Sequence, residues 1–332
     1  MNFKNMIYSF SPRLVSRITA AVLSVVITFV TVKIATAHEN QPSLNEQSSE
    51  GSFNTSTEVE KTEKDPVRNE MILDGSVEVG NVINGFSGIL CDLTSNNVLA
   101  VKNSFGKVSL KHAASLIGAL TVSKAVSDGK AVLSDTAVCP ASAARCPDYE
   151  LSSEVLPIGK RMRVGDILKC MLYQEGSSYA YTLAVHIFGS EEAYVNEMNA
   201  LCSEMKLNET SLSGCNEGVF SVYDLSVIMK RVLSDPLLRQ IFCENGTVSV
   251  GYGQNESVSL VVKNAFFQGY CTEGQAKADG IIGGKVSVYP GGGWACVVFS
   301  REGREYLSVS LGSAEAFTDT MMLYSAFVLS SQ

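Results

Sequence analysis

Ala113-Ala114-Ser115-Leu116-Ile117-Gly118-Ala119-Leu120-Thr121 is the stretch on which the fold turns. It predicts a helix from Ser115 to Ser127, stopped by Asp128-Gly129. Leu116, Ile117, Ala119, Leu120 and Val122 leave it no polar face, the pattern of a helix buried on all sides. Such a helix needs a shell, and the flanking sequence supplies one. Upstream, the apolar runs Gly88–Leu93 and Val98–Val101 flank Thr94-Ser95-Asn96-Asn97, whose residues tolerate positive φ, so a β-hairpin is expected. Downstream, helices are expected over Val164–Tyr173, over Tyr179–Phe188, from Glu191 through Tyr194, Met198, Leu201 and Met205, and over Ser221–Leu233. Strand patterns follow at Thr247–Val250, Val258–Val262 and Lys285–Tyr289. Trp294–Arg301 and Glu305–Leu311 then pair across Glu302-Gly303-Arg304, and a helix over Ala314–Leu329 closes the chain. A strand pair, a helical middle, then antiparallel strands and a helix make an α+β fold with one sheet-centred and one helical region.

The first 70 residues do not read as part of that fold. Lys4, Arg13 and Arg17 precede an apolar run from Ile18 to Val32, and Ala35-Thr36-Ala37 follows. This is the layout of a secretory signal peptide, with an uncleaved signal anchor as the competing reading of residues 1–37. Residues 38–70 are dominated by Ser, Thr, Glu, Asn and Lys and bury too little to offset ordering entropy, so they are expected to be a disordered linker. Residues 71–332 remain as one folded domain, and the membrane is met only through the N-terminal segment. A net charge of −8 lacks the basic face that a nucleic-acid partner would require.

Nine cysteines lie in the part expected to be exported, where some thiols oxidise. Cys139 with Cys146, Cys202 with Cys215, and Cys243 with Cys271 are the candidate bridges, although sequence cannot assign the pairing. Cys91 and Cys296 sit inside strand-like runs and read as small buried hydrophobes. There is no Cys-x-x-Cys pair, and His38, His112 and His186 are scattered, so no metal or other cofactor is expected.

Three segments carry a resemblance. Ser115-Leu116-Ile117-Gly118, Glu175-Gly176-Ser177 and Ile282-Gly283-Gly284 stand in the order and spacing of the active-site motifs of the serine D-alanyl-D-alanine carboxypeptidases, the low-molecular-mass penicillin-binding proteins. Val164–Leu172, His186–Val195 and Ala278–Ile281 extend the likeness over residues 71–332. The resemblance implies a β-lactamase/transpeptidase-like fold, an antiparallel sheet flanked by helices with a helical subregion. It implies an exported enzyme acting on peptidoglycan stem peptides.

The motifs themselves are degraded. The family uses Ser-x-x-Lys, Ser-x-Asn and Lys-Thr-Gly. Here the first lysine is Gly118, Glu175 and Ser177 replace the second serine and the asparagine, and Ile282 and Gly283 replace the second lysine and the threonine. Gly284 keeps the small last position. Ser115 occupies the nucleophile position, with helix capping as its structural alternative. A serine nucleophile is weak without a base to take its proton. Three substitutes are conceivable: Glu175, His112 three residues before Ser115, and Lys285 three residues after Ile282. An odd offset points Lys285 to the opposite face of its strand unless a bulge at Gly283-Gly284 intervenes. The strings Ser104-x-x-Lys107 and Ser127-x-x-Lys130 sit at turns and recur by chance. The expectation is therefore an inactive relative that binds a stem peptide or another envelope protein, with a rearranged, working carboxypeptidase as the alternative.

Overall fold

The computed structural model describes residues 71–146, 149, 155–174, 176–244, 247–252, 256–261, 270–290 and 292–330. The leader and linker expected over 1–70, and Glu175, lie outside the described residues. The described residues fall into two units, one of them spanning 71–324 and the other represented by 325–330. In the second of these, Ser325–Leu329 forms a π-helical turn. Among the described residues, no helix is long and apolar enough to cross a membrane.

The larger unit is built on a six-stranded sheet. β1 (Val77–Glu78), β2 (Ser87–Asp92) and β3 (Asn97–Lys102) come from the start of the domain. A second set is short: β4 (Val108–Lys111), β5 (Thr136–Val138), β6 (Arg161–Arg163), β7 (Ser211–Leu212) and β8 (Glu217–Phe220). β9 (Thr247–Tyr252) and β10 (Glu256–Val261) pair with each other. β11 (Ile281–Tyr289), β12 (Gly292–Arg301) and β13 (Arg304–Leu311) return to the main sheet, whose order is β1-β3-β2-β13-β12-β11. Its neighbours are antiparallel except β1 and β3, which run parallel.

The helices are α1 (Ala114–Ser127), α2 (Val164–Tyr173), α3 (Ser177–Leu183), α4 (Glu191–Glu204), α5 (Val222–Ser234), α6 (Pro236–Phe242), α7 (Glu273–Asp279) and α8 (Ala316–Tyr324). β13 shows how they are placed. Its side chains alternate between faces. Leu307, Val309 and Leu311 enter the main apolar core with α1 and α5. Ser308 and Ser310 face α8, where Ser308 Oγ donates to Thr320 O at 3.0 Å and Ser310 Oγ donates to Asp319 Oδ2 at 3.1 Å. The same Asp319 carboxylate accepts the backbone N–H groups of Asn84 and Gly85, each at 2.9 Å, so α8 is pinned to the chain entering β2. The sheet is tied to the helical half by Trp294, fully buried on β12, whose Nε1 donates to Lys111 O at 2.8 Å.

α1 lies at the centre of the helical half and is packed among α2, α4 and α5. Ala114 through Val122 are all buried, as the all-round apolar pattern requires. The hairpin, the middle helices and the β12–β13 pair also form as the sequence implies. The π-helical stretch Ala184–Phe188 continues α3, where a single regular helix was expected.

Other elements were not expected. The three-stranded sheet β4-β8-β7 and the pair β5–β6 use strands of two to four residues, too short for alternation to register. α6 begins at Pro236 with Asp235 accepting Leu238 N–H at 3.0 Å, and its seven residues are too few for an apolar period to register.

The candidate disulfides are unbridged in this structure. Cys139, Cys202, Cys215, Cys243 and Cys271 carry free thiols, so none of the three expected bridges is closed. Cys139 turns inward, its Sγ 3.2 Å from Leu156 O. Cys215 follows β7 in a loop whose N–H is held by Glu191 Oε1 at 3.3 Å, and Cys243 ends α6 against Gly283. Cys91 and Cys296 are fully buried in their strands.

Candidate functional site

The three segments that carry the resemblance meet around one hydroxyl. Ser115 is the second residue of α1 and is 1% exposed. Its Oγ donates to His112 O at 2.6 Å, and the cap position Ala113 has no side-chain bond. The hydroxyl therefore closes a turn against the carbonyl three residues back. It does not cap an N–H group, which corrects the capping alternative.

Lys285 reaches the same atom from β11. Its Nζ lies 3.3 Å from Ser115 Oγ and 3.1 Å from Leu172 O, and the residue is 4% exposed. Leu172 is in the last turn of α2, just before Glu175-Gly176-Ser177. One amine thus joins the head of α1, the tail of α2 and β11.

This corrects the expectation that Lys285 faces away. The β11–β12 register runs Ile281↔Phe299 and then Gly283↔Val298, so Ile282 is an extra, unmatched residue. A bulge of this kind slips the alternation by one place. It stands one residue earlier than the glycine pair where a bulge was considered. Lys285 is consequently turned toward Ser115.

The position of the missing first lysine is filled from elsewhere. A Cβ built on Gly118 would come within 3.0 Å of the Tyr194 hydroxyl oxygen, closer than real Cβ contacts, and 3.3 Å from Tyr194 Cζ. Tyr194, on α4, is 0% exposed and its hydroxyl has no hydrogen-bond partner among the described residues. Burial pushes its phenol well above the ordinary range, and the neighbouring Cys215 adds to the shift. Sequence reasoning missed Tyr194 because it lies on a different helix, and nothing in the spacing of α1 points to it.

The remaining candidates sort themselves by geometry. The ring of His112 turns to Asn216, whose amide nitrogen lies 2.8 Å from Nδ1, and its backbone N–H donates to Asn216 O at 2.8 Å. Its φ of 63° lies in the left-handed region, a sparsely populated conformation for a residue with a side chain. What His112 brings to Ser115 is its carbonyl. Ser177 opens α3 and is buried, and its neighbour Ser178 accepts the Leu156 N–H at 2.8 Å. A Cβ on Gly283 would meet Cys243 Sγ and Phe242 O at 3.1 Å each, so α6 crowds the place of the family's threonine. Gly284 is buried in β11. Lys107 pairs with Glu209 at 2.9 Å and belongs to another part of the surface. Among the described residues, no group of three or more His, Cys, Asp or Glu side chains is placed to hold a metal ion.

Comparison with known proteins bears on this arrangement. The family model for the D-alanyl-D-alanine carboxypeptidases matches residues 76–268, a span that contains Ser115, Gly118 and Glu175 and stops before Ile282 and Lys285. The D-alanyl-D-alanine carboxypeptidase DacF of Bacillus subtilis (strain 168) is 28% identical over 152 residues, which are 44% of this chain and 38% of that protein. The chain therefore matches well under half the length of this curated relative. A D-alanyl-D-alanine carboxypeptidase from Mycobacterium tuberculosis H37Rv superposes with a TM-score of 0.62 at 21% identity, covering 79% of this chain and 97% of the other. Penicillin binding protein 6B from Escherichia coli gives 0.63 at 19% identity, covering 74% and 76%. A variant of the Streptomyces K15 DD-transpeptidase gives 0.65 at 16% identity, covering 74% and 98%. These structural likenesses establish the β-lactamase/transpeptidase-like fold. The match of the family model over more than half of the sequence goes further: the chain belongs to the D-alanyl-D-alanine carboxypeptidase family.

Proposed function

We propose that this family member is a non-catalytic protein of the cell envelope, exported through residues 1–37, carried on the linker 38–70 and acting through domain 71–332 by binding. Its partner is a peptidoglycan stem peptide or another envelope protein. One observation carries this reading: Ser115 is almost wholly buried and its proton is held on His112 O. As placed, Lys285 donates to the serine oxygen, and the serine donates to a backbone carbonyl. A general base requires the opposite sense, accepting the hydroxyl proton as attack begins. The chain His112 O, Ser115, Lys285, Leu172 O works instead as a brace between α1, β11 and α2. The crowding at positions 118 and 283 supports the same reading, because side chains of the family's size do not fit at either place without a shift.

A second reading rests on the 3.3 Å separation of Lys285 Nζ and Ser115 Oγ. Burial disfavours an ammonium relative to a neutral amine. A rotated hydroxyl would then make the pair a rearranged serine–lysine dyad that opens to substrate. The two readings part in one assay, with purified protein given a fluorescent penicillin and a pentapeptide ending in D-Ala-D-Ala. The expected result is no covalent adduct and no released D-alanine, with retention on pentapeptide-bearing sacculi. An adduct mapped to Ser115 and abolished by Lys285→Ala would install the dyad in place of the brace.

A further inference from the structure

We infer that Tyr194 and Gly118 form an interlock, in which the Tyr194 phenol excludes any side chain at position 118, one helical turn from Ser115 on the same face of α1. The inference goes beyond the proposed function and holds whether or not Ser115 reacts. Residues three apart on a helix are neighbours on one face, so position 118 stands beside Ser115. The Tyr194 oxygen occupies the volume into which a side chain there must begin, at its first carbon.

The ring has little room to withdraw. It is fully buried, is stacked on Phe188 at a centroid distance of 4.9 Å, and has Met198 Cε 3.7 Å from the same Cβ position. The hydroxyl also makes no hydrogen bond among the described residues, so polar satisfaction by them is not what holds it in place. A buried unpartnered hydroxyl is costly. Filling the space beside Gly118 is the contribution visible on the other side of that balance. The amine at the site accordingly enters from β11, on Lys285, by the route that the Ile282 bulge opens.

The inference predicts a substitution whose effect depends on background. Alanine is intrinsically favoured over glycine inside a helix. Gly118→Ala should nevertheless lower the melting temperature of the full chain by several degrees, because the new carbon meets the phenol oxygen. In a Tyr194→Phe background the nearest atom becomes the ring carbon at 3.3 Å, which a few tenths of an ångström of movement relieves. There Gly118→Ala should leave the melting temperature unchanged or raise it. Thermal unfolding of the wild type, both single variants and the double variant reads this directly. An equal loss in both backgrounds, or no loss in the wild type, overturns the interlock.

Discussion

At the scale of single residues, the proposed reading gives Ser115 and Lys285 a mechanical task in place of a chemical one. The serine hydroxyl bonds His112 O at 2.6 Å and is approached by Lys285 Nζ at 3.3 Å. Removing one member of a buried hydrogen-bonded set leaves its partners unsatisfied, at about 1–3 kcal/mol. Ser115→Ala should therefore destabilise the domain by about that amount in urea titration. Substituting a strained, functional nucleophile commonly has the opposite sign, because active sites sacrifice stability for function. A more stable Ser115→Ala variant would thus argue for a reactive serine and against the brace.

At the scale of elements, helix starts are specified by short polar side chains, and their effects are separable from the site. Ser221, fully buried, accepts Asp224 N–H at 3.0 Å and opens α5, which lines the core beneath β2 and β13. Ser221→Ala should cost about 0.5–2 kcal/mol, as for other N-cap serines, without changing the retention on sacculi expected of the wild type. Elements of this sort were legible in the sequence because their signals are local: apolar periodicity for α1, the turn residues between β2 and β3, and Glu302-Gly303-Arg304 between β12 and β13. The bulge at Ile282 was not legible in the same way. Nothing in Ile281-Ile282-Gly283-Gly284 distinguishes a regular strand from one with an unmatched residue until β12 lies beside it. Tyr194 was hidden for a related reason, since its contact with Gly118 spans two helices far apart in sequence. The motif positions could be read from spacing, but what fills the space around them could not.

At the scale of the whole molecule, the buried thiols give the fold a defined alkaline limit. Burial raises Cys91, Cys202 and Cys296 from an ordinary value of 9.0 to about 12 each. In the unfolded chain these thiols ionise near pH 9, whereas in the folded chain they stay protonated until about pH 12. Protonation is then greater in the native state, so stability falls as pH rises through that interval. Each group contributes a slope approaching ~1.4 kcal/mol per pH unit there. Urea midpoints measured under reducing conditions should hold steady up to about pH 8 and decline from pH 9 upward. A flat profile through pH 11 would mean that these thiols are more solvated than their placement implies.

β11 ends the six-stranded sheet among the described residues, and an edge strand is the kind of element onto which another polypeptide can zip. The unmatched Ile282 and the inward-turned Lys285 are two devices by which natural sheets discourage such docking. The same pair of residues that rearranges the neighbourhood of Ser115 therefore also makes this edge a poorer template for strand addition.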